Sequence, residues 1–213
     1  MATIEQQREV VRDWLGTGAL NLFGFPFAGK DTQCLRLSRW LDGPILGGGD
    51  ILRKRDDLPP EVKQMLDAGL LIPVEEYLSI VTPYLAQAEF AGRPLILSSV
   101  GRFRGEETSI LQALEQASHP TRAVIELDLD EDIIWERWRQ SLKLMDRGPR
   151  AEDADEESLT TRLNEFRSKT LPVLDFYQQA GLLIKIDGSQ EPAKVESAVL
   201  EALYARATAA VKA

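Results

Sequence analysis

The sequence predicts an α/β fold, with a central five-stranded parallel sheet flanked by helices, on two observations. Short apolar runs of strand length alternate with stretches of helical periodicity along nearly the whole chain. One of these runs passes through a glycine-rich turn straight into a helix, at 19–41. Strict alternation of this kind implies parallel strands joined by right-handed helical crossovers, with helices on both faces of the sheet.

The elements follow in order. The start, "MATIEQQREVVRDWL", carries acids and lacks an apolar core, so it is not a secretory signal. Ile4, Val10, Val11, Trp14 and Leu15 predict a short amphipathic helix, an N-terminal extension over 1–17. "ALNLFGF" (19–25) reads as a buried strand and "KDTQCLRLSRWL" (30–41) as a helix. "GPILGGGDILRKR" (43–55) reads as a short strand, a glycine turn and a helix start capped by Asp50. The segment 59–89 predicts two or three helices punctuated by Gly69 and Pro73. "RPLILSS" (93–99) is a strand, followed by a polar loop and the helix "EETSILQALEQAS". "RAVIELDLD" (122–130) is a strand, "EDIIWERWRQSLKLM" a helix and 147–157 a charged loop. A long helix is expected over 156–180, kinked or divided by Pro172. "GLLIKIDG" (181–188) is the last strand, before a terminal helix whose alanine-rich end is expected to fray.

Composition narrows the function. A 44% hydrophobic content is ordinary for a chain with a buried core, and no run of about 18 apolar residues indicates a membrane span. Cys34 and His119 are the only residues of their kinds, so an internal disulfide and a four-ligand Cys/His zinc site are excluded. A reducing cytoplasm fits this usage. The net charge of -9 disfavours bulk affinity for nucleic acid or an anionic membrane, but not a small anion held by local arginines.

The chemistry concentrates in "GFPFAGKDTQ". Gly24 to Lys30 satisfies G-x-x-x-x-G-K. Gly24 and Gly29 allow a tight turn with inward N–H groups, and the following helix N-terminus favours phosphate. Lys30 is placed to reach the β- and γ-phosphates of a nucleotide. A plain strand–helix turn with a surface lysine is the alternative. The strand before, the helix after and Thr32-Gln33 next favour a phosphate loop.

This segment resembles the loop of the adenylate kinase family, whose usual form is G-x-P-G-x-G-K-G-T-Q. The resemblance continues through "GGGDILR" (47–53), "LDAGLLIPVEEY" (66–77), "LILSSVGRFRGEE" (95–107), "DEESLTTRLNEFRSKTLPVLDFY" (155–177) and "LIKIDG" (183–188), from about Leu20 onward. It implies a P-loop NTPase fold over 18–213, with a monophosphate-binding helical insertion at about 50–83 and a short, zinc-free lid at about 138–152. It implies a monomeric phosphotransferase acting on ATP and a nucleoside monophosphate, with Mg²⁺. Such chemistry needs positioning and charge neutralisation more than acid–base groups, and arginine forks supply both. The resemblance places Arg53 and Arg102 on the monophosphate's phosphate and Arg137 near the ATP base and phosphates. Arg162, with Arg150 or Arg147, clamps the transferring group. Phe27, Ala28, Gly29, Lys30, Asp31, Thr32 and Gln190 fall on the ATP side. Gly48, Leu71, Ile72, Ser99 and Glu106 fall on the monophosphate side. A kinase for another small acceptor, or a non-catalytic nucleotide-binding relative, are the competing readings.

The chain departs from the family pattern at several points. Phe27 replaces the third loop glycine, and Gly48 replaces a Thr or Ser. Ser141 stands where the lid helix has a second arginine, with Arg139 close by. Glu106 stands in place of the glutamine that reads adenine. An ionised carboxylate only accepts hydrogen bonds, so AMP remains the family's default acceptor while GMP or another monophosphate is open. Glu106 facing solvent at a helix N-terminus is the alternative. Ser98 replaces a metal-holding aspartate at a strand end, while Asp31 follows the loop lysine. The two changes together suggest an exchange in which Asp31, beside Thr32, takes over the Mg²⁺ water shell; Asp31 lying along the helix N-terminus and pairing with a neighbouring base is the alternative.

Overall fold

Five parallel strands form a single sheet. At its centre lies Ala19–Gly24 (β1), all of whose residues are buried, as a strand covered on both faces must be. In the computed structural model, which describes residues 2–144 and 155–211, the others are Ile45–Gly47 (β2), Leu95–Ser98 (β3), Thr121–Asp128 (β4) and Leu183–Asp187 (β5). Their order across the sheet is β2-β3-β1-β4-β5. Ala19 is level with Leu95 in β3, and Leu22 with Ile125 in β4. Chain order therefore reverses beside β1, and at such a switch point the loops at the carboxyl ends of the strands leave a crevice for ligands.

Three apolar clusters hold the layers together. Leu20, Leu22, Ile125 and Leu127 face the helices Lys30–Leu41 (α2) and Pro192–Ala210 (α10). Phe23, Val124, Val173 and Tyr177 form the core beneath the other face. Leu46, Leu95 and Leu97 join Val81, Leu85 and Ile110 of the helices that follow β2 and β3. Each such side chain, fully buried, contributes about 1.5–3 kcal/mol.

The N-terminal helix Ile4–Leu15 (α1) starts at a capping box in which Thr3 and Gln6 satisfy each other's backbone N–H groups. Val11 and Leu15 are wholly buried. Glu196 of α10 accepts from Arg8 at 3.3 Å and from Arg36 of α2 at 2.5 Å, and Arg12 donates to the Trp40 carbonyl at 2.6 Å. The extension is thus packed against the sheet's helical layer.

After β2, Gly48–Arg53 (α3), Pro60–Asp67 (α4) and Val74–Leu85 (α5) make a helical insertion. Asp50 does not cap α3. The cap is Gly47, and Asp50 sits in the first turn, where it pairs with Arg53 at 3.1 Å. Glu107–Gln116 (α6) follows β3, and Glu131–Leu144 (α7) follows β4. The long helix expected over 156–180 is divided. Glu156–Glu165 (α8) passes through a π-helical turn, Phe166–Thr170, into Leu171–Gln179 (α9), with Pro172 in the first turn of α9. Proline donates no hydrogen bond and its ring crowds the carbonyl four residues back, so the wider turn relieves the clash. α10 continues into the alanine-rich segment. The helix runs to Ala210 because Leu203 and Ala207 are wholly buried.

Candidate functional site

The phosphate loop leaves the carboxyl end of β1 and enters α2, as the glycine spacing predicts. At Gly24, with φ 152°, a Cβ would stand 2.8 Å from the Leu127 carbonyl, so only glycine allows the loop to pass β4 this closely. Gly29, with φ 89°, occupies the N-cap of α2. Phe27 adopts φ 63°, a left-handed conformation that favours glycine. Its ring is retained because it is buried, only 6% exposed, against the core beneath α2. Lys30 Nζ donates to the carbonyls of Gly24 and Phe25, both at 2.8 Å, and so lies across its own loop.

Two cavities flank the loop, and Phe27 and Gly29 line both. One, of about 470 Å³, is bounded by Ala28, Thr32, Gln33, Arg137, Ser141 and Gln190, among others. Arg137 of α7 donates to the carbonyls of Phe27 at 3.3 Å, Gly188 at 2.8 Å and Ser189 at 3.3 Å, fastening the loop after β5 to the phosphate loop. Asp187 shapes that later loop by accepting from Ser189 N–H at 2.8 Å and Gln190 Nε2 at 3.0 Å, bonds that hold its carboxyl below the usual range. Gln33 donates to the Pro192 carbonyl at 2.9 Å and ties α2 to the start of α10.

The second cavity, of about 110 Å³, gathers Lys30, Asp31, Arg53, Arg102 and Arg162 with Ser98 and Ser99. Burial lowers the pKa of the Arg102 guanidinium, and Arg53 nearby adds to this. The loop carrying Arg102 is held from behind by Thr170, whose hydroxyl donates to the Arg102 carbonyl at 2.9 Å. Glu165 accepts from Leu71 N–H at 2.9 Å and from Lys169 at 2.6 Å, which docks the insertion onto α8. Cys34 beneath the loop is pushed up to about 12, chiefly by burial and then by Asp31, while the Ser98 hydroxyl opposes the rise. Asp31 and Ser98 therefore approach the same spot from two elements. A thiol with so high a pKa is no nucleophile.

Most of the sequence-derived residues converge here, with exceptions. Leu71 and Ser99 line the arginine-bearing cavity; Gly48, Ile72 and Glu106 do not. Glu106 does not face solvent either. It is 2% exposed, accepts from Phe103 N–H at 3.0 Å, and is raised to about 7 by burial. Thr32 is exposed at the mouth of the larger cavity. Arg150, Arg147 and most of the expected lid lie outside the described residues. Sequence reasoning missed Glu165 and Tyr77, and no local signal separates Glu165 from other helix-surface acids or marks Tyr77 among the apolar residues of α5.

A glycine-lysine loop at a sheet switch point, bordered by two cavities of which one gathers arginines, is the arrangement of a P-loop scaffold. The family model described as adenylate kinase matches residues 22–182. An adenylate kinase of Stenotrophomonas maltophilia is 31% identical over 190 residues, covering 87% of this chain and 99% of the relative. One of Corynebacterium glutamicum is 31% identical over 188 residues (86% and 98%), and one of Bartonella bacilliformis 30% over 184 (84% and 95%). The chain belongs to the adenylate kinase family and is a phosphotransferase.

Proposed function

We propose that the protein transfers the γ-phosphoryl group of ATP to a nucleoside monophosphate, AMP or another, as a monomeric cytoplasmic enzyme. The observation that carries this is the pair of cavities on either side of one phosphate loop, since direct transfer requires donor and acceptor phosphates to meet. In this reading the larger cavity takes ATP. Arg137 and Gln190 border its base and phosphates, and the backbone from Phe27 to Thr32 cradles the phosphate chain. Lys30 leaves its carbonyl partners for the phosphoryl oxygens, a better match for an ammonium. Arg53 and Arg102 hold the acceptor's phosphate, while Arg162, with Arg150 or Arg147, neutralises the charge of the group in flight. Shutting the cleft excludes water, which would otherwise compete as acceptor.

Mg²⁺ fits the residues present. The Asp31 carboxylate and Thr32 hydroxyl are hard oxygen donors at the loop's end, and Asp31 shares a cavity wall with Ser98. When bound with ATP, Mg²⁺ supplies neutralisation of phosphate charge. In the exchange inferred from the sequence, Asp31 serves its water shell in place of the absent strand-end acid.

A coupled assay of ADP formation against a panel of monophosphates tests the activity. ATP binding without turnover of any monophosphate would refute it. For the exchange, Asp31→Gly should strongly weaken Mg²⁺-dependent turnover and Mg²⁺-dependent nucleotide binding, the latter followed by calorimetry. Adding Ser98→Asp should restore part of each. An unchanged Mg²⁺ response in Asp31→Gly removes Asp31 from this role.

A further inference from the structure

Asn21 is the polar side chain of β1, 2% exposed in the middle of a strand whose other residues are apolar or glycine. Asparagine is a poor strand former, and its amide is costly to bury unless both of its ends find partners. Here both do. Nδ2 donates to the Val100 carbonyl at 2.7 Å, and Oδ1 accepts from Val100 N–H at 3.3 Å. One side chain thus takes up both polar groups of a single residue in the loop after β3.

The strand register shows what this bond pair does. Asn21 is level with Leu97 in β3. An extended chain would carry Val100 about 10 Å beyond Leu97, out of reach of the amide. The chain turns instead at Ser99, which adopts φ 52°, a left-handed conformation that persists in a residue with a side chain only where its surroundings impose it. They do so from both sides: Ser99 N–H donates to the Leu22 carbonyl at 2.9 Å, and Asn21 grips Val100. Further along, Gly101 N–H donates to the Tyr77 hydroxyl at 3.0 Å, and the Arg102 carbonyl accepts from Thr170 at 2.9 Å. Ser99 and Arg102, on either side of the clamped residue, line the arginine-bearing cavity, whereas Asn21 and Val100 lie behind its wall. Asn21 acts on that cavity only through the loop.

We propose that Asn21 is a positioning residue for the acceptor site: its amide fixes the turn at Ser99 and Val100 and so aims the Arg102 guanidinium at the acceptor's phosphate. This rests on the monophosphate kinase reading above and deepens it. An arginine grips phosphate through a planar fork, so its direction counts as well as its charge. With the loop already set, binding does not have to order it.

The test combines titration calorimetry of AMP with steady-state transfer from ATP. If the wild type takes GMP, CMP or UMP better, that monophosphate replaces AMP throughout. Asn21→Leu keeps a similarly branched side chain that suits a buried strand, but it pairs with neither group of Val100. Its Kd and KM for the monophosphate should rise about tenfold or more, with KM for ATP within about twofold of wild type, a split that general loss of stability does not produce. Arg102→Ala supplies the second background. If Asn21 acts through Arg102, adding Asn21→Leu to Arg102→Ala should raise the Kd by less than about twofold. Additive effects in the double variant overturn the proposal, and so does an unchanged monophosphate Kd in Asn21→Leu or an equal rise in KM for ATP. Asn21→Val takes the place of Asn21→Leu if the latter does not fold. If neither folds, Asn21 serves the fold alone and the proposal falls. A wild type that binds and phosphorylates no monophosphate overturns the kinase reading and this one together, whereas additivity in an active enzyme overturns only this one.

Discussion

Glu106→Gln should make the protein more stable near neutral pH while barely changing it in mild acid. Burial raises the Glu106 carboxyl from its ordinary 4.5 to about 7, against the opposing hydrogen bond from Phe103 N–H and the charge of Arg102. At 1.36 kcal/mol per pKa unit the rise corresponds to about 3 kcal/mol. The sign follows from proton linkage. Between the two values the folded protein holds a proton that the unfolded chain has released, so stability falls as pH rises. The contribution is complete below about 4.5 and is lost as pH climbs through 7. A glutamine has nearly the same shape, stays neutral, and its amide oxygen can still accept from Phe103 N–H at the 3.0 Å position. The variant should therefore exceed the wild type by about 2–3 kcal/mol at about pH 8 and converge with it at about pH 4.5. Urea unfolding followed by circular dichroism across that range measures the difference. A variant no more stable than wild type at the alkaline end, or a gap of equal size at both ends, would show that Glu106 titrates as an ordinary carboxylate.

Two further outcomes are expected. At Phe27, with φ 63° and 6% exposure, both Phe27→Ala and Phe27→Gly lose the buried ring, at about 3–5 kcal/mol. Alanine also keeps the left-handed penalty, so the glycine variant should be the more stable of the two by about 1 kcal/mol, the reverse of the usual order. Equal or greater stability of the alanine variant in denaturant melts would contradict this. Arg137→Ala removes charged donors from the carbonyls of Phe27, Gly188 and Ser189. At about 1.5–3 kcal/mol for a charged hydrogen bond, KM for ATP should rise about tenfold or more. An unaltered KM would remove Arg137 from the ATP side.

The order of strands and helices was legible because periodicity and punctuation are local. The runs at 19–25 and 93–99 are short and rich in apolar residues, and Gly18 and Pro94 punctuate their starts, which favours buried strands. The strand–turn–helix form of the glycine loop was legible for the same reason: its glycines, lysine and flanking elements are contiguous. Local signals misplaced the cap at Asp50, because the glycine before α3 already provides the extended backbone and the carboxylate has Arg53 to bind. Pro172 announced an interruption, but not that a π-helical turn would absorb it.

By itself, then, the sequence determined the fold class, the glycine-lysine loop between the first strand and its helix, and the set of arginines the chain has to offer, since each depends on residue type and near spacing. Tertiary structure decided which of those residues share a wall. Lys30, Arg53, Arg102 and Arg162 come from separate elements and meet only because the sheet order brings the ends of β1 and β3 together with α3 and α8. It also decided that Glu106 is buried against the Phe103 backbone and that Tyr77 fills the space beside Gly48. Such a contact joins side chains on elements distant along the chain. It is set by how the helical insertion packs against the sheet, which no short window of sequence contains.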